Sequence, residues 1–211
     1  AFEPAAAETS PYYIGASEAL PYATNIFSST TGEIDSGISS TSVIGGFDQP
    51  IGRQRVYANA TLGYNYFTND AVKYLNNNSY GLNAGLDWQT VERLSGTVRV
   101  AANQTLAFYG TAGAPTITQR NIQNVGSAAF LAHYGITPRI KLDAGYEYRY
   151  LNYSAPAYAY EEYKQKVVSL GLSYGQTDVL KVGAGLRLAK ADYPNYLVNP
   201  DPITSTADPY L

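Results

Sequence analysis

Asp143 and Glu147 are the residues whose type and spacing come closest to those of a catalytic pair. Side chains on a β-strand alternate between its two faces, so residues four apart lie in one row, two pleats from each other. Two carboxylates in such a row could act as acid and base in glycoside chemistry. Lys141 and Arg149 flank them in the same row, however, and opposite charges this close favour ion pairing.

Other groups that carry chemistry are scarce. The chain has one histidine, His133, and no cysteine, so neither a histidine-based metal cluster nor a thiolate site is expected. It contains no GxSxG or HExxH motif and no phosphate-binding glycine-rich loop. We therefore predict a protein that is not an enzyme, with no catalytic residues, no metal site and no cofactor.

The elements that position these residues are strands with two different faces. Between residues 55 and 67 the apolar row contains Val56, Ala58, Ala60, Leu62, Tyr64 and Tyr66, and the polar row contains Arg55, Tyr57, Asn59, Thr61, Gly63 and Asn65. Long strands of this kind, tipped with aromatic residues, are typical of transmembrane β-barrels. In such a barrel the apolar row faces lipid and the polar row faces a wet lumen.

Alternation and turn residues predict about nine strands of this type. They span residues 12–27, 39–48, 54–67, 79–88, 95–109, 120–135, 139–153, 163–175 and 179–192, and the sixth alternates least cleanly. Short turns alternate with long loops, which is the asymmetry of outer-membrane barrels. We expect a periplasmic segment over 1–11, an antiparallel up-and-down transmembrane β-barrel over 12–192, and a polar Pro-rich tail or extracellular loop over 193–211.

The composition agrees with a sheet that faces lipid. Charged residues make up 15% of the chain, whereas soluble domains carry about 25%. The 21 tyrosines suit aromatic belts. No stretch approaches the roughly 18 apolar residues of a transmembrane helix. The net charge of −3 and the lack of a basic run argue against nucleic acid as a partner.

Polar side chains of the inward rows are the candidate lining of a solute path. They are Arg55, Asn59, Asp87, Arg99, Asn103, Lys141, Asp143, Glu147, Arg149, Lys181 and Arg187. These residues could pair across strands and hold the wall together, or they could line a path for a polar solute. Three tyrosines near strand ends or loops, Tyr153, Tyr158 and Tyr160, are candidates for surface recognition.

The odd number of strands conflicts with a barrel closed by this chain alone. Bacterial single-chain barrels have an even number of strands, and lipid does not tolerate open sheet edges. We expect the chain to be part of a longer protein, to close a barrel with further copies, or to form an open assembly.

Four segments resemble the EpsL-like family of outer-membrane β-barrel proteins, which are associated with exopolysaccharide operons and exosortase sorting. They are IGGFDQPIGRQR at 44–55, YGLNAGLDW at 80–88, ERLSG at 92–96 and NYSAP at 152–156. The resemblance extends over about residues 11–194, and family members continue with further strands. It implies a role in export of an extracellular polysaccharide and supplies no catalytic residues.

Three functions therefore stay open. The first is a porin-like outer-membrane barrel, whose partners are the lipid bilayer and a polysaccharide. The second is a structural subunit that pairs through its strand edges into a multichain barrel, tube or filament. The third is a soluble or cell-surface module that binds sugar through its loops, for which the apolar face would be buried.

Overall fold

The computed structural model describes residues 10–109, 117–175 and 180–196. These residues form one antiparallel sheet of ten strands. The strands are β1 (Tyr12–Ala19), β2 (Tyr22–Ala23), β3 (Ser36–Ile51), β4 (Gln54–Phe67), β5 (Asn77–Gln89), β6 (Leu94–Leu106), β7 (Ile122–Gly135), β8 (Ile140–Tyr153), β9 (Tyr163–Gly175) and β10 (Lys181–Asp192). Their order is β1-β3-β4-β5-β6-β7-β8-β9-β10, with β2 also paired to β3.

The first predicted strand is interrupted, so the expectation of one strand over 12–27 is wrong. β1 and β2 pair with β3 in a single register, in which Ala19 faces Ser40 and Tyr22 faces Gly37. The break falls at Pro21, whose carbonyl accepts a hydrogen bond from Ile38 N–H (2.9 Å). Proline has no N–H with which to donate a hydrogen bond to β3, so the ladder of hydrogen bonds is interrupted at that position.

The turn between β3 and β4 is tighter than the sequence predicts. Its two residues are Gly52 and Arg53, and Gly52 has a φ of +63°. A positive φ at the first position of a two-residue hairpin favours glycine. β3 consequently extends through Pro50 to Ile51. Asp48 N–H points toward β1 and donates a hydrogen bond to the Pro11 carbonyl. An N–H at position 50, two residues farther on, would point to the same side but beyond the end of β1. Pro50, which has no N–H, therefore costs the sheet no hydrogen bond to β1.

One register relates the faces of all the strands. Directly paired residues lie on the same face, so the pairings Val98–Phe130, Phe130–Tyr146 and Tyr146–Val168 carry the apolar row across four strands. The apolar and polar faces of β7, the strand that alternates least cleanly in the sequence, are therefore aligned with those of β6 and β8. We call the face with these residues the apolar face and the other the polar face.

The apolar face is not covered by any other described element. Leu62 is 65% exposed and Leu186 is 75% exposed, and both lie on this face. Within the described residues the sheet is not closed, because β1 and β10 each pair on one side only. No described helix is long and apolar enough to cross a membrane.

The buried core lies beyond one end of the sheet, among the long connections. We define this loop core as Phe27, Phe67, Val72, Leu75 and Tyr109. Two short 3₁₀ helices, Asp70–Leu75 and Pro156–Glu161, follow β4 and β8 at this long-loop end. Asn69 caps the first helix by accepting a hydrogen bond from Ala71 N–H (3.0 Å). That helix supplies Val72 and Leu75 to the loop core.

Candidate functional site

All eleven residues predicted to line a solute path lie on the polar face. The register pairs Arg55 with Asp87, Asn59 with Asn83, and Arg99 with Gly85. Farther along the sheet, Lys141 pairs with Ser173 and Arg187 with Ser169. The faces therefore follow from alternation, as the sequence predicts, whereas the contacts between these residues differ from one part of the face to another.

An ion-pair cluster joins β3, β4 and β5 near the short-turn end of the sheet. Arg55 donates from Nε to Asp48 Oδ1 (2.8 Å) and from Nη2 to Asp48 Oδ2 (2.5 Å). Its Nη1 lies 3.5 Å from Asp87 Oδ2. Sequence reasoning missed Asp48, although its place in the row follows once β3 is paired with β4 across a two-residue turn. The pair is half exposed, so solvent screens it and its contribution to stability is small.

An aromatic bridge connects β4 to β6 on the same face. The guanidinium of Arg55 lies 5.0 Å from the centre of the Tyr57 ring, and the Tyr57 hydroxyl accepts a hydrogen bond from Arg99 Nε (3.2 Å). The ring passes over Gly85, where a Cβ would lie 2.3 Å from Tyr57 Cζ. Gly85 thus provides the space in which Tyr57 reaches Arg99.

On β4 and β5 the middle of the polar face carries a pair of amides. Asn83 Nδ2 donates to Asn59 Oδ1 (3.2 Å) across the β4–β5 pair. Asn103 lies opposite Gly81 on the next strand. Amide pairs of this kind present donors and acceptors to a polar solute without a strong field.

The predicted carboxylate pair is divided between two partners. Glu147 pairs with Arg149, as the flanking charges predict. Asp143 instead lies directly opposite His133 and is within 2.5 Å of its Nδ1. Sequence reasoning could not find this partner, because it depends on the register between β7 and β8.

Lys141, Asp143 and His133 also line a cavity of about 590 Å³ at the short-turn end. Lys181 of β10, together with Glu92 and Arg93 of the turn after β5, completes its charged lining. Lys141 and Lys181 lie on two strands that do not pair with each other, β8 and β10. The fold nevertheless places both of them beside one cavity.

The three tyrosines predicted for surface recognition meet at the long-loop end but differ in exposure. Tyr158 is 1% exposed, so its assignment to the surface is wrong. It belongs to the second 3₁₀ helix, which folds back so that its ring lies 5.3 Å from that of Tyr153. Tyr153 is partly buried and accepts a hydrogen bond from Gln123 (3.1 Å). Burial raises the pKa of Tyr160 to about 12.

More exposed tyrosines lie nearby. Tyr193 contacts both Tyr163 and Tyr196, with ring centres 5.9 and 6.5 Å apart. Tyr193 and Tyr196 fall in the predicted tail, and their clustering depends on how the chain leaves β10.

No protein-family model matches this sequence, and no curated protein matches it either. The function therefore has to be argued from the two faces of the sheet and from the site on the polar face.

Proposed function

We propose that this sheet forms part of the wall of a porin-like β-barrel in the bacterial outer membrane, through which an extracellular polysaccharide passes. The observation that carries the proposal is the contrast between the two faces. Large apolar side chains remain exposed on one face, while the eleven candidate lining residues and Asp48 lie on the other. Lys164 and Lys166 share the apolar row of β9, but they lie at its long-loop end. A barrel in lipid accommodates both faces, with apolar residues outward and polar residues inward.

Strand length supports a membrane environment. β3 to β10 contain between 12 and 16 residues each. A strand crosses a bilayer with about 9–11 residues when it is tilted. Strands in soluble proteins usually have about 5–6 residues.

Closure of the barrel requires additional strands. Eight antiparallel pairings connect β1 to β10, so these two edge strands run in the same direction. An antiparallel barrel that includes this sheet therefore needs an odd number of further strands between β10 and β1. We propose that they come from the rest of a longer chain.

The proposed solute follows from the polar face and from the resemblance in the sequence. Amides and charges of both signs offer hydrogen bonds along the face, as a path for a hydroxyl-rich polymer requires. The EpsL-like resemblance associates the segments at 44–55 and 80–88 with polysaccharide export.

The proposal is tested by placing one charge on each face of β5. Leu82→Arg puts a guanidinium on the apolar face near the middle of the strand, and Asn83→Arg puts it on the polar face. In lipid vesicles Leu82→Arg should lower the free energy of unfolding by about 2–4 kcal/mol, because the charge then faces lipid. Asn83→Arg should cost far less. Equal tolerance of both variants would contradict the membrane orientation.

A conductance measurement tests the lumen. Charge reversal by Arg99→Glu should shift the ion selectivity of the channel in planar bilayers toward cations. Unchanged selectivity in a conducting channel would remove Arg99 from the proposed lining.

Self-assembly through strand edges is the second candidate function. It is favoured by the edge strands, since every residue of β1 and of β10 is exposed. Open edges of this kind can pair with another chain. A filament or tube should pellet without detergent and show ordered assemblies by electron microscopy. A porin should need detergent to stay in solution.

A further inference from the structure

The short-turn cavity is a separate feature of the polar face. Its volume of about 590 Å³ lies within the range of small-molecule sites, roughly 300–1,000 Å³. The turn residues Thr137 and Pro138 form one part of its wall, and Gln89 and Leu94 border the turn that forms another.

Small residues leave the floor of this cavity open. Lys141 of β8 lies opposite Ser173, and Lys181 of β10 lies opposite Gly175. Both partners belong to β9, the strand between the two lysines. With no long side chain on β9 at this level, the two ammonium groups border one space.

The charged groups of the lining are not equally available to a ligand. Asp143 is engaged with His133, and Arg93 donates from Nη1 to the Ile136 carbonyl (2.7 Å). By contrast, no described residue forms an ion pair with Lys141 or Lys181. Glu92 also lines the cavity, so the lining holds three cations (Lys141, Lys181 and Arg93) and two carboxylates (Glu92 and Asp143). The cavity therefore keeps a positive balance, with two lysines outside any ion pair, on a chain whose net charge is −3.

We propose that this cavity binds the carboxylate groups of an acidic sugar, so that the polysaccharide passing along the polar face is a uronate-containing polymer. The inference rests on the proposed function. Lysine ammonium groups bind anionic oxygens as compact point charges and can reorient as a polymer moves past. Ser95 and Gln89 in the same lining can hydrogen-bond sugar hydroxyls.

Calorimetric titration of the folded protein in detergent tests the assignment. The probes are trigalacturonate, the neutral sugar maltotriose and inorganic phosphate. The cavity variant is Lys141→Gln with Lys181→Gln. Its matched control is Lys164→Gln with Lys166→Gln, which removes the same charge from the apolar-face row of β9.

Trigalacturonate should bind the wild type and the control variant with equal affinity, and the cavity variant at least tenfold more weakly. A third variant, Lys141→Arg with Lys181→Arg, should retain binding, which separates loss of charge from loss of fold. Absence of trigalacturonate binding to the wild type, equal affinity in the cavity and control variants, or equal binding of maltotriose would overturn the inference. Tighter binding of inorganic phosphate would overturn the uronate assignment in favour of a phosphate group.

Conductance separates this inference from the proposed function. If trigalacturonate binds through the two lysines but no current passes in planar bilayers, the cavity assignment stands and the transport proposal fails. If the protein conducts and the lysine variants leave trigalacturonate binding unchanged, the transport proposal stands and the cavity assignment fails.

Discussion

The loop core and the strand wall are built on different principles, although one chain forms both. In the loop core Leu75 is completely buried, whereas Leu172 in the wall is 52% exposed. The loop core buries apolar groups as a water-soluble domain does. The wall holds its strands by backbone pairing and leaves its apolar side chains for another environment.

Hydrogen bonds between the long connections support this distinction. The Tyr74 hydroxyl donates to the Thr118 carbonyl (2.5 Å), and the Tyr109 hydroxyl donates to the Gln119 carbonyl (3.0 Å). Arg120 donates to the Asn76 carbonyl (3.2 Å). The connections therefore hold one another at the long-loop end, independently of what covers the apolar face.

The largest effect should come from truncating the loop core. Leu75→Ala should lower the free energy of unfolding by about 2–5 kcal/mol, because it leaves a cavity among buried side chains. The matched change Leu172→Ala in the wall should cost much less, since half of that side chain is already exposed. Denaturant unfolding in one detergent measures both. Equal losses would show that the wall has a core of its own.

The next effect concerns close packing within the wall. A Cβ at Gly96 would lie 2.2 Å from the Leu131 carbonyl oxygen and 2.6 Å from Trp88 Cζ2. Gly96→Ala should therefore cost about 1–3 kcal/mol through overpacking.

Gly81→Ala is the control, because its nearest neighbour would be Asn103 Nδ2 at 3.7 Å. It should change stability by less than about 0.5 kcal/mol. Comparable melting temperatures for the two variants would mean that close backbone packing does not restrict side-chain size at Gly96.

A smaller effect is expected from the ion-pair cluster on the polar face. Arg55→Gln removes both contacts to Asp48 and the contact to Asp87, yet water can solvate groups that are this exposed. The variant should therefore lower the melting temperature less than Gly96→Ala does. Thermal unfolding checks this, with Arg53→Gln in the adjacent turn as a control. A shift as large as that of Gly96→Ala would mean that side-chain charges, together with the backbone ladder, hold the wall.

A further effect, confined to alkaline pH, is a late titration in the loop core. Burial raises the pKa of Tyr109 to about 12 from the ordinary value of 10.0. Between those pH values the folded protein keeps a proton that the unfolded chain has lost, so stability is complete below pH 10 and falls as pH rises toward 12.

The difference in tyrosinate absorbance between wild type and Tyr109→Phe should have its midpoint near pH 12. A midpoint near pH 10 would show that Tyr109 is solvated in the folded protein.

Local alternation predicts most of the wall but little of the loop end. β1 begins at Tyr12 and β10 ends at Asp192, as the sequence predicts, and the eleven candidate lining residues share one face. Backbone pleating imposes this period wherever a strand forms. The loop core has no such period, because Phe27 and Tyr109 come together from distant connections. The burial of Tyr158 could not be predicted for the same reason.

Within the candidate site, the face on which each residue lies was predictable, but the residues that it contacts were not. Alternation places Asp143 and Lys181 on one face, but only the register between strands decides that Asp143 meets His133. The break at Pro21 could have been anticipated, because proline cannot complete a ladder between paired strands. Residues 110–116 of the connection predicted over 110–119, and all of the one predicted over 176–178, lie outside the described residues.

The contact between Phe27 and Tyr109 has a consequence for the order of folding. Apart from β1, which pairs with β3 across β2, each strand pairs with its neighbours in the chain, so hairpins can form one after another with short loop closures. The ring of Phe27 meets that of Tyr109 at 5.1 Å across four intervening strands. We expect this contact to form late in folding, after β3 to β6 have paired. Mutations there should then accelerate unfolding while leaving the rate of folding nearly unchanged.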